Sequence, residues 1–583
     1  MNSKFDIIPV ETDVLIIGGG LAGCMASIKA RESDIRVTIA EKANTMHSGC
    51  AASGVDHVWA YIPPVHEKMG WTIEDLMEDH DQATARGLVD RDLLHLIART
   101  MYDRVLDLES FGLKFRFEDS NIPGKFRVVY QFHSVPSSLN FEGRPIKVKL
   151  TQEAQKRKVL VVNRVMITDL LMSEGCVTGA VGVSTRKNEI YLFRTKTAVL
   201  CTGRVNRLGR NVTGIWGNRR VPPMSGEGKA MAFHSGIDII NMEFLSPERY
   251  QIGFYETAGG APGNSWQPGF RLVDHKGDII VPRGRSFDWE NLEKMKINVS
   301  ELRKGWLEKK RIHMPPSLED LRKGSGPYYL DGREATREEI RYAEWSLSHE
   351  GKCNQFLEHL KEMGVDLTRD RIEIAPNNRE LSGAAAAGVV VNRDLETNIK
   401  GLFAAGDEVG GVPWSSASGA IAMGWYAGEM AAKEALKMKS ILPFERKEKL
   451  ETLTETCLSI YENAKGYHWK EVETALENIM DYYCYNVRSA SMLKRGLERL
   501  AELRQVSLSA MDLHELSRCL EVRSVLDNAE MVLRASLVRE ESRRVPKFQR
   551  SDFPEQDDEK WLVFSALKKK NGDVLFSKIP VKR

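Results

Sequence analysis

The chain has 583 residues, which is enough for several hydrophobic cores and, at roughly 150 residues per domain, for about four structural units. Hydrophobic residues make up 42% and charged residues 28%, a globular balance that excludes disorder and collagen-like repeats for most of the chain. Lysine and arginine total 83 against 81 acidic residues, so the formal net charge is +2. Because nucleic-acid-binding domains carry a clear basic excess, we expect no nucleic-acid partner.

The sequence contains no stretch of about 20 uncharged apolar residues, so it predicts no membrane insertion. The first residues, MNSKFDIIPVETD, are too acidic for a signal peptide, and their apolar run is too short. We therefore expect a cytoplasmic protein. The eight cysteines include no C-x-x-C pair, so we expect no metal site and no iron–sulfur cluster within the chain.

The most specific pattern lies near the N-terminus, where residues 12–18, TDVLIIG, predict a buried parallel strand that runs into a glycine cluster. The motif Gly18-x-Gly20-x-x-Gly23 follows, and a helical run begins within it at Leu21. In dinucleotide-binding folds the first glycine makes a tight turn, the second lets the backbone approach a pyrophosphate, and the third lets the helix pack on the strand. The helix N-terminus then holds the pyrophosphate with its free N–H groups.

A second predicted strand, residues 37–41, ends in Glu41, which stands 18 residues after Gly23. This is the place of a ribose-binding carboxylate in dinucleotide folds. The residues after Glu41 are mostly small, and small residues let a backbone lie flat against a large planar ligand. A permanently held flavin needs such a segment, whereas a released NAD does not, so we predict FAD. The predicted contacts in this segment are Lys42, Ser48, Gly49, Cys50, Ala52, Ser53 and Gly54.

Three later segments suit the same ligand. Residues 197–203 predict a strand that ends in a small-residue turn, and residues 401–407 predict another strand, whose terminal acid can hydrogen-bond the sugar-alcohol chain of FAD. Residues 414–419 open a small-residue helix, whose N-terminus would stabilise negative charge on a reduced flavin. Tight helix packing explains its small residues equally well. The predicted contacts are Thr202, Gly203, Gly406, Asp407, Ser415, Ser416 and Ser418.

These segments, with the Ser-Gly-Glu-Gly turn at 225–228, resemble the FAD-binding flavoprotein of the fumarate reductase and succinate dehydrogenase family. Residues 539–561 resemble that family's tail pattern. Within the family, residues 247–253, 512–516 and 574–580 are most similar to those of adenylylsulfate reductase alpha chains. The resemblance spans residues 10–580, is weakest between 255 and 375, and implies that Glu227 is a further FAD contact.

The resemblance implies an α/β fold, with a Rossmann-like (glutathione-reductase-like) FAD-binding domain, an inserted capping domain and a C-terminal helical domain. We expect the FAD-binding domain in two parts, residues 1–236 and 376–440. Residues 237–375 would form the capping domain that closes over substrate. Residues 441–545 would form the helical domain, and residues 546–583 a tail.

This sequence departs from its family at several positions. Family members with covalent FAD place a histidine where Ser48 stands, and His47 is one position off, so we expect non-covalent FAD. Dicarboxylate-reducing members have an arginine that acts as a general acid in the segment matching residues 265–269. They also have a histidine in the segment matching residues 382–388. Neither residue is present here. Adenylylsulfate reductases place an asparagine at Trp59 and a histidine at Gly383. Fumarate and succinate are therefore not expected as substrates, and the substrate stays open.

We expect three residues to form the catalytic site. Arg249 offers a fixed fork for a carboxylate, sulfate or phosphate, unless it forms an ion pair between domains. His57 suits acid or base chemistry near neutral pH, with a structural histidine as the alternative. Trp59 stands beside the expected flavin face, where its bulk indicates a substrate of a different shape from that of adenylylsulfate reductases.

The function we expect is that of an FAD-dependent oxidoreductase subunit that moves electrons between a small anionic substrate and an iron–sulfur partner. A non-catalytic electron-transfer or scaffold subunit of a larger redox complex is the alternative, and an oxygen-using oxidase also stays open. Because the chain has no cysteine pattern for a cluster, the resemblance implies a ferredoxin-like partner with [4Fe–4S] clusters.

The tail, residues 546–583, has no evident core of its own and carries apolar side chains between charges, where we expect them to be exposed. Such a tail indicates docking on that partner. A tail that packs on its own chain is the alternative. The apolar residues concerned are Phe548, Phe553, Trp561, Phe564 and Phe576.

Overall fold

The computed structural model describes residues 4–118, 124–129, 135–209, 224–245, 250–252, 269–281, 323–349, 351–376, 386–442 and 448–582. Its central element is a five-stranded parallel sheet, in which four strands are buried throughout and the edge strand Leu160–Asn163 is partly exposed. In spatial order the strands are Leu402–Ala404, Thr197–Leu200, Val14–Ile17, Val37–Glu41 and Leu160–Asn163. The strands predicted near residues 14, 37, 197 and 402 thus form one sheet.

Two helices that pack on this sheet touch each other backbone to backbone. The helix Leu21–Arg31 follows the glycine motif, and the helix Ser416–Lys437 lies directly against it. A Cβ at Gly424 would stand 2.5 Å from the Ala22 carbonyl oxygen, and one at Gly428 would stand 2.2 Å from that of Ala26. Only glycine permits this approach, so the late helix is fastened to the first βα unit.

Two smaller sheets and several helices surround this core. One sheet has the strand order Asp6–Glu11, Glu189–Arg194, Cys176–Ser184 and Val165–Ser173. The other places His57–Trp59 beside Ser138–Asn140 and then Val128–Val129. The surrounding helices are Pro63–His66, Ile73–Thr84, Arg91–Ser110, Ile146–Lys156 and Glu227–His234, with 3-10 turns at Thr45–His47, Glu67–Met69 and Gly406–Glu408.

The region predicted as a capping domain contains a sheet with its own apolar core. The strand order is Tyr250–Ile252, Arg371–Pro376, Tyr328–Asp331, Arg271–Val273 and Ile279–Val281, all antiparallel. The helices Arg337–His349 and Gly351–Glu362 accompany it. Buried Phe270, Leu272, Tyr328 and Leu330 belong to a hydrophobic cluster separate from the main core.

A strand at the start of the predicted capping segment lies outside that sheet. Ile239–Ile240 pairs with Gly388–Val389 on one side and with Val563–Lys570 on the other, and Asp573–Pro580 completes the sheet. The first residues of the 237–375 segment therefore join the C-terminal hairpin. The division into these five segments stays a proposal, and this pairing favours a later start for the capping domain.

The C-terminal region is helical, as predicted. Its helices are Glu448–Tyr461, Trp469–Tyr483, Ala490–Leu503, Leu513–Val538 and the short Asp558–Trp561. The long fourth helix is capped by Asp512, whose side chain accepts a hydrogen bond from the Glu515 N–H. Two-residue strand pairs link the loops: Tyr467–His468 with Leu508–Ser509, and Val487–Arg488 with Gln549–Arg550. Within the described part of the chain, no helix has the length and apolar character that a bilayer crossing requires.

The apolar side chains of the tail are mostly buried in the chain itself, which corrects our expectation that they are exposed. Phe548, Trp561 and Phe564 are 2%, 5% and 5% exposed, whereas Phe576 is 38% exposed. The tail hairpin completes a sheet with the strand Ile239–Ile240. The alternative, a tail that packs on its own chain, describes these contacts, so the tail residues no longer argue for a docked partner.

A buried arginine fastens the tail to the rest of the fold. The Arg539 guanidinium is fully buried and donates to Glu243 Oε1 at 2.5 Å and to Glu541 Oε1 at 2.6 Å. It also donates to the carbonyls of Trp561 and Val563, each at 2.8 Å. The paired carboxylates compensate for the burial of the charge, and the two carbonyls and the Ser565 hydroxyl accept its remaining hydrogen bonds.

Candidate functional site

The three glycines of the nucleotide motif have different reasons to be glycine. Gly18 has a φ of +99°, and a Cβ there would lie 2.6 Å from the Cys201 carbonyl oxygen. A Cβ at Gly23 would lie 1.9 Å from the Gly18 oxygen, so no other residue fits this helix. A Cβ at Gly20 would meet nothing within 4 Å. The loop is therefore open at Gly20, the position where a dinucleotide fold admits its pyrophosphate.

Glu41 lies beside this loop, as the sequence predicts. Its carboxylate is buried and accepts hydrogen bonds from the N–H groups of Gly19 at 2.6 Å and Ala43 at 2.7 Å. These bonds fix the carboxylate at the edge of the glycine loop.

The small-residue segment after Glu41 packs against the same loop. Ser48 is buried and its hydroxyl donates to the Gly19 carbonyl at 3.3 Å, whereas His47 is exposed. A Cβ at Gly49 would stand 3.2 Å from the Gly20 Cα, and Cys50 Sγ lies 3.4 Å from Met224 Sδ. Ala52 and Ser53 are half-buried, and Gly54 has a φ of +110°.

Three later loops meet at a buried polar cluster. The Thr202 hydroxyl donates to Glu408 Oε2, and the Gly228 N–H donates to Thr202 Oγ1 at 3.1 Å. The Lys229 ammonium donates to the carbonyls of Gly203 at 2.8 Å and Asp407 at 2.9 Å. These bonds bring together the predicted contacts Thr202, Gly203 and Asp407 from distant parts of the sequence.

Asp407 has one carboxylate oxygen without a partner. Its Oδ2 accepts a hydrogen bond from Arg204 Nε at 2.7 Å and lies 2.6 Å from Arg204 Nη2, but its Oδ1 is buried with no hydrogen-bond partner among the described residues. Leaving a buried acceptor unsatisfied costs about 1–3 kcal/mol. A hydroxyl of a bound sugar-alcohol chain would satisfy this oxygen, so the residue fits the role predicted for it.

The backbone is strained just before the helix that begins at Ser416. Trp414 has a φ of +57° and Ser416 a φ of +43°, values that residues other than glycine rarely adopt. Such strain persists only where the surrounding structure imposes it, and it clusters at ligand sites. Ser415 is buried here, and the Ser418 hydroxyl accepts from the Trp59 N–H at 2.7 Å. The helix start is thereby held against the strand that carries Trp59.

The predicted catalytic residues fall into two groups. Trp59 is buried, its indole Nε1 has no hydrogen-bond partner among the described residues, and its ring lies 4.9 Å from that of His80. His57 is half-buried, with Nδ1 2.6 Å from Asp56 Oδ1. Arg249 lies outside the described residues, as do residues 265–268 and 382–385.

Two predicted FAD contacts, Lys42 and Glu227, bind each other. The Lys42 ammonium donates to Glu227 Oε1 at 2.5 Å and to Glu521 Oε1 at 2.8 Å. Burial opposes the charge, but the two carboxylates outweigh it and raise the pKa of Lys42. Glu521 is also buried, and the positive charges of Lys42, Arg207 and Arg518 still lower its pKa to about 2. This ion-pair network joins the small-residue segment after Glu41 to the helix Leu513–Val538.

Several residues of this site were not predicted from the sequence. Arg204 and Glu408 directly follow the predicted contacts Gly203 and Asp407, and Lys229 follows the Ser-Gly-Glu-Gly turn. Their proximity to those motifs was the available signal. Lys147, which lies beneath the glycine loop, has no such motif beside it.

Comparison with known families agrees with this geometry. A family model described as "FAD binding domain" matches residues 13–298, and one described as "Fumarate reductase flavoprotein C-term" matches residues 473–583. The first contains the glycine motif and the loop that carries Thr202. The cofactor of this chain is therefore FAD, and the open loop at Gly20 together with the free Oδ1 of Asp407 fits it.

We predict that Gly20→Ala lowers FAD affinity without unfolding the protein. The Gly20 φ of −66° suits alanine and the added methyl group meets no protein atom, so it occupies only ligand space. We expect the dissociation constant for FAD to rise about tenfold or more, equal to about 1.4 kcal/mol, in a fluorescence titration. Gly23→Ala is the contrast, because its methyl group would overlap the Gly18 carbonyl and should lower the thermal stability as well. Unchanged FAD affinity in Gly20→Ala would contradict this assignment.

Similar proteins align with almost the whole chain. This chain is 27% identical to one subunit of the fumarate reductase (CoM/CoB) of Methanothermobacter marburgensis, and the alignment covers 96% of this chain and 97% of that protein. It is 25% identical to the alpha chain of the adenylylsulfate reductase of Megalodesulfovibrio gigas, over 96% and 93%.

Solved structures share its fold. Adenylylsulfate reductase from Archaeoglobus fulgidus superposes with a TM-score of 0.84 at 22% identity, covering 99% of this chain and 97% of that one. E. coli quinol fumarate reductase superposes with a TM-score of 0.76 at 19% identity, covering 99% and 97%. The two domain matches and the sequence relatives identify the chain as an FAD-dependent oxidoreductase that contains the FAD-binding domain and the C-terminal domain of fumarate reductase flavoproteins.

Proposed function

We propose that this flavoprotein transfers electrons between a small anionic substrate and an iron–sulfur partner. The observation that carries the anionic substrate is a buried arginine with a free donor. Arg127 is 6% exposed, its Nη1 has no hydrogen-bond partner among the described residues, and the nearest carboxylate oxygen, on Glu142, is 3.6 Å from Nη2. Burial outweighs the carboxylate and lowers the pKa of Arg127. A buried guanidinium with an unused donor suits an oxyanion.

Arg127 lies where the capping region meets the flavin segment. It directly precedes the strand Val128–Val129, and its carbonyl accepts a backbone hydrogen bond from Asn140 at 2.9 Å, in the sheet that also holds His57 and Trp59. Its guanidinium carbon stands 4.4 Å from the ring centre of Trp345, which lies in the helix Arg337–His349 of the predicted capping domain. A substrate between these elements would touch both parts of the protein.

Each residue then has a defined role in the proposed mechanism. FAD, when bound, accepts or donates two electrons as a hydride. Arg127 binds and orients the anion, and Arg249 is proposed as a second anion contact. His57, paired with Asp56, holds or moves a proton, while Trp59 would exclude water from a bound flavin. His349, whose pKa burial lowers, offers a neutral imidazole 4.7 Å from the Trp345 ring.

The FAD contacts predicted from sequence are retained as part of this proposal. The glycine loop would hold the pyrophosphate, Glu41 the ribose and Asp407 the sugar-alcohol chain. The N-terminus of the helix beginning at Ser416 would face the flavin ring and stabilise negative charge on it. Lys42 and Glu227 would act through their ion pair, which positions the loops on either side.

The alternative is a non-catalytic subunit that only relays electrons. The burial of Trp59 favours it, because a sealed flavin face would exclude substrate. Arg127 favours the catalytic role, since a relay subunit has no use for a buried anion contact beside the capping helix. The two functions differ in whether anions perturb the flavin.

We expect Arg127→Met to weaken anion binding at the flavin by about tenfold or more, the cost of a lost charged hydrogen bond. Flavin difference spectra during titration with sulfite, AMP, fumarate and succinate measure the affinity. Arg116→Met is the matched control, because Arg116 also lies over an aromatic ring, that of Phe126 at 4.0 Å, but pairs with Glu109 at the surface. No spectral response to any anion in the parent protein would favour the relay function.

We further propose that FAD is held without a covalent bond. His47, the histidine nearest to the usual linkage position, is exposed, whereas Ser48 is buried against the Gly19 carbonyl. Acid precipitation should therefore release all the flavin into the supernatant. Yellow colour that stays with the precipitated protein would rule this out.

The partner is proposed from chemistry. A flavin takes up electrons in pairs, and this sequence has no C-x-x-C pattern for a cluster that would pass them on singly. The relatives named above are, by their names, subunits of larger enzymes. Anaerobic purification from the native source should yield the flavoprotein together with a [4Fe–4S] protein. A fully active flavoprotein that contains no iron would refute this part of the proposal.

A further inference from the structure

A buried lysine lies beneath the glycine loop. Lys147, in the helix Ile146–Lys156, is 1% exposed. Its ammonium donates to the carbonyl oxygen of Gly19 and lies 3.2 Å from Cys24 Sγ. Among the residues that the structure describes, no carboxylate pairs with it. The fold therefore holds an uncompensated positive charge directly under the loop that receives the dinucleotide.

Such a charge is costly to bury alone. An ion removed from water keeps its charge only when a group of opposite sign or several good hydrogen bonds compensate it. Lys147 has one carbonyl and one sulfur atom, which leaves its charge without a counterion. The pyrophosphate of a bound FAD would bring two negative charges to this loop.

The Gly19–Gly20 peptide connects the lysine to the ligand. The Gly19 carbonyl accepts hydrogen bonds from three side chains, those of Lys147, Ser48 at 3.3 Å and Cys24 at 3.5 Å. In a trans peptide the carbonyl and the following N–H point in opposite directions. Holding the Gly19 oxygen toward Lys147 therefore turns the Gly20 N–H away from Lys147. The surroundings of Gly20 are open, since a Cβ there would meet nothing within 4 Å.

We propose that Lys147 is a positioning residue for the pyrophosphate of FAD. Its ammonium holds the Gly19 carbonyl, which aims the Gly20 N–H at the pyrophosphate and polarises that peptide so that the N–H donates more strongly. The pyrophosphate in turn compensates the lysine charge across a single peptide plane. Bound FAD and a buried Lys147 thus stabilise each other.

This coupling distinguishes the lysine from an ordinary structural residue. In the apoprotein the charge is uncompensated, so replacing Lys147 with a neutral side chain should not lower stability. In the FAD-bound protein the same replacement removes a favourable interaction. A residue that only supports the fold would lower the stability of both forms together.

The experiment compares full-length Lys147→Met and Lys147→Gln with the parent protein. Equilibrium dialysis measures the dissociation constant for FAD, ADP competition measures that for a second pyrophosphate ligand, and thermal unfolding is followed for the apoprotein. We expect Lys147→Met to weaken FAD and ADP by the same factor, about tenfold or more, with no loss of apoprotein stability. Lys147→Gln retains a donor for the Gly19 carbonyl without the charge, and it should weaken both ligands by a smaller factor.

Lys149→Met is the matched control, because Lys149 lies on the same helix but faces Gly112 instead of the glycine loop. It should leave both dissociation constants unchanged. The proposal is overturned if Lys147→Gln binds FAD and ADP as the parent does. It is also overturned if the Lys147 variants lose apoprotein stability in step with FAD affinity, or if Lys149→Met weakens FAD equally. Should Lys147→Met fail to fold, the lysine has a structural role, and that also overturns the proposal.

Discussion

Backbone contact between two helices far apart in sequence is the constraint on which this flavin site depends. The helix Ser416–Lys437 reaches the helix Leu21–Arg31 only because Gly424 and Gly428 present no side chain to it. Any larger residue at either position would overlap a carbonyl oxygen of the first helix. This contact places the Asp407 loop and the strained turn at Trp414 beside the glycine motif, so that segments from both ends of the FAD-binding domain face one ligand.

Buried charges join the helical C-terminal region to the same site. Glu521, on the helix Leu513–Val538, pairs with both Lys42 and Arg207, and Arg207 also pairs with Glu473 at 2.5 Å. Removing one partner of a buried ion pair typically costs about 3–5 kcal/mol, because the remaining charge loses its counterion. The helical region is therefore fastened to the loop after Glu41 and to the loop after Thr202, and the two loops cannot move independently of it.

The sequence predicted those parts of the structure in which residues that are neighbours in the chain also surround the ligand. The strand, glycines, helix and Glu41 follow one another, so the first βα unit was readable without any long-range information. The burial of Phe548 and Trp561 was not, because the tail has no periodic pattern and its sheet partner, Ile239–Ile240, lies far earlier in the chain. Lys147 was missed for a related reason: only the packing of its helix under the glycine loop makes it more than a solvated charge.

The FAD site is one unit assembled from several segments, and hydrogen–deuterium exchange of the apoprotein and the FAD-bound protein tests this directly. FAD should slow backbone exchange at residues 18–23, 48–54, 201–204 and 406–418 together, because the glycine-mediated helix contact and the buried polar cluster hold them around one ligand. Protection confined to residues 18–23, with the later segments exchanging as in the apoprotein, would contradict it.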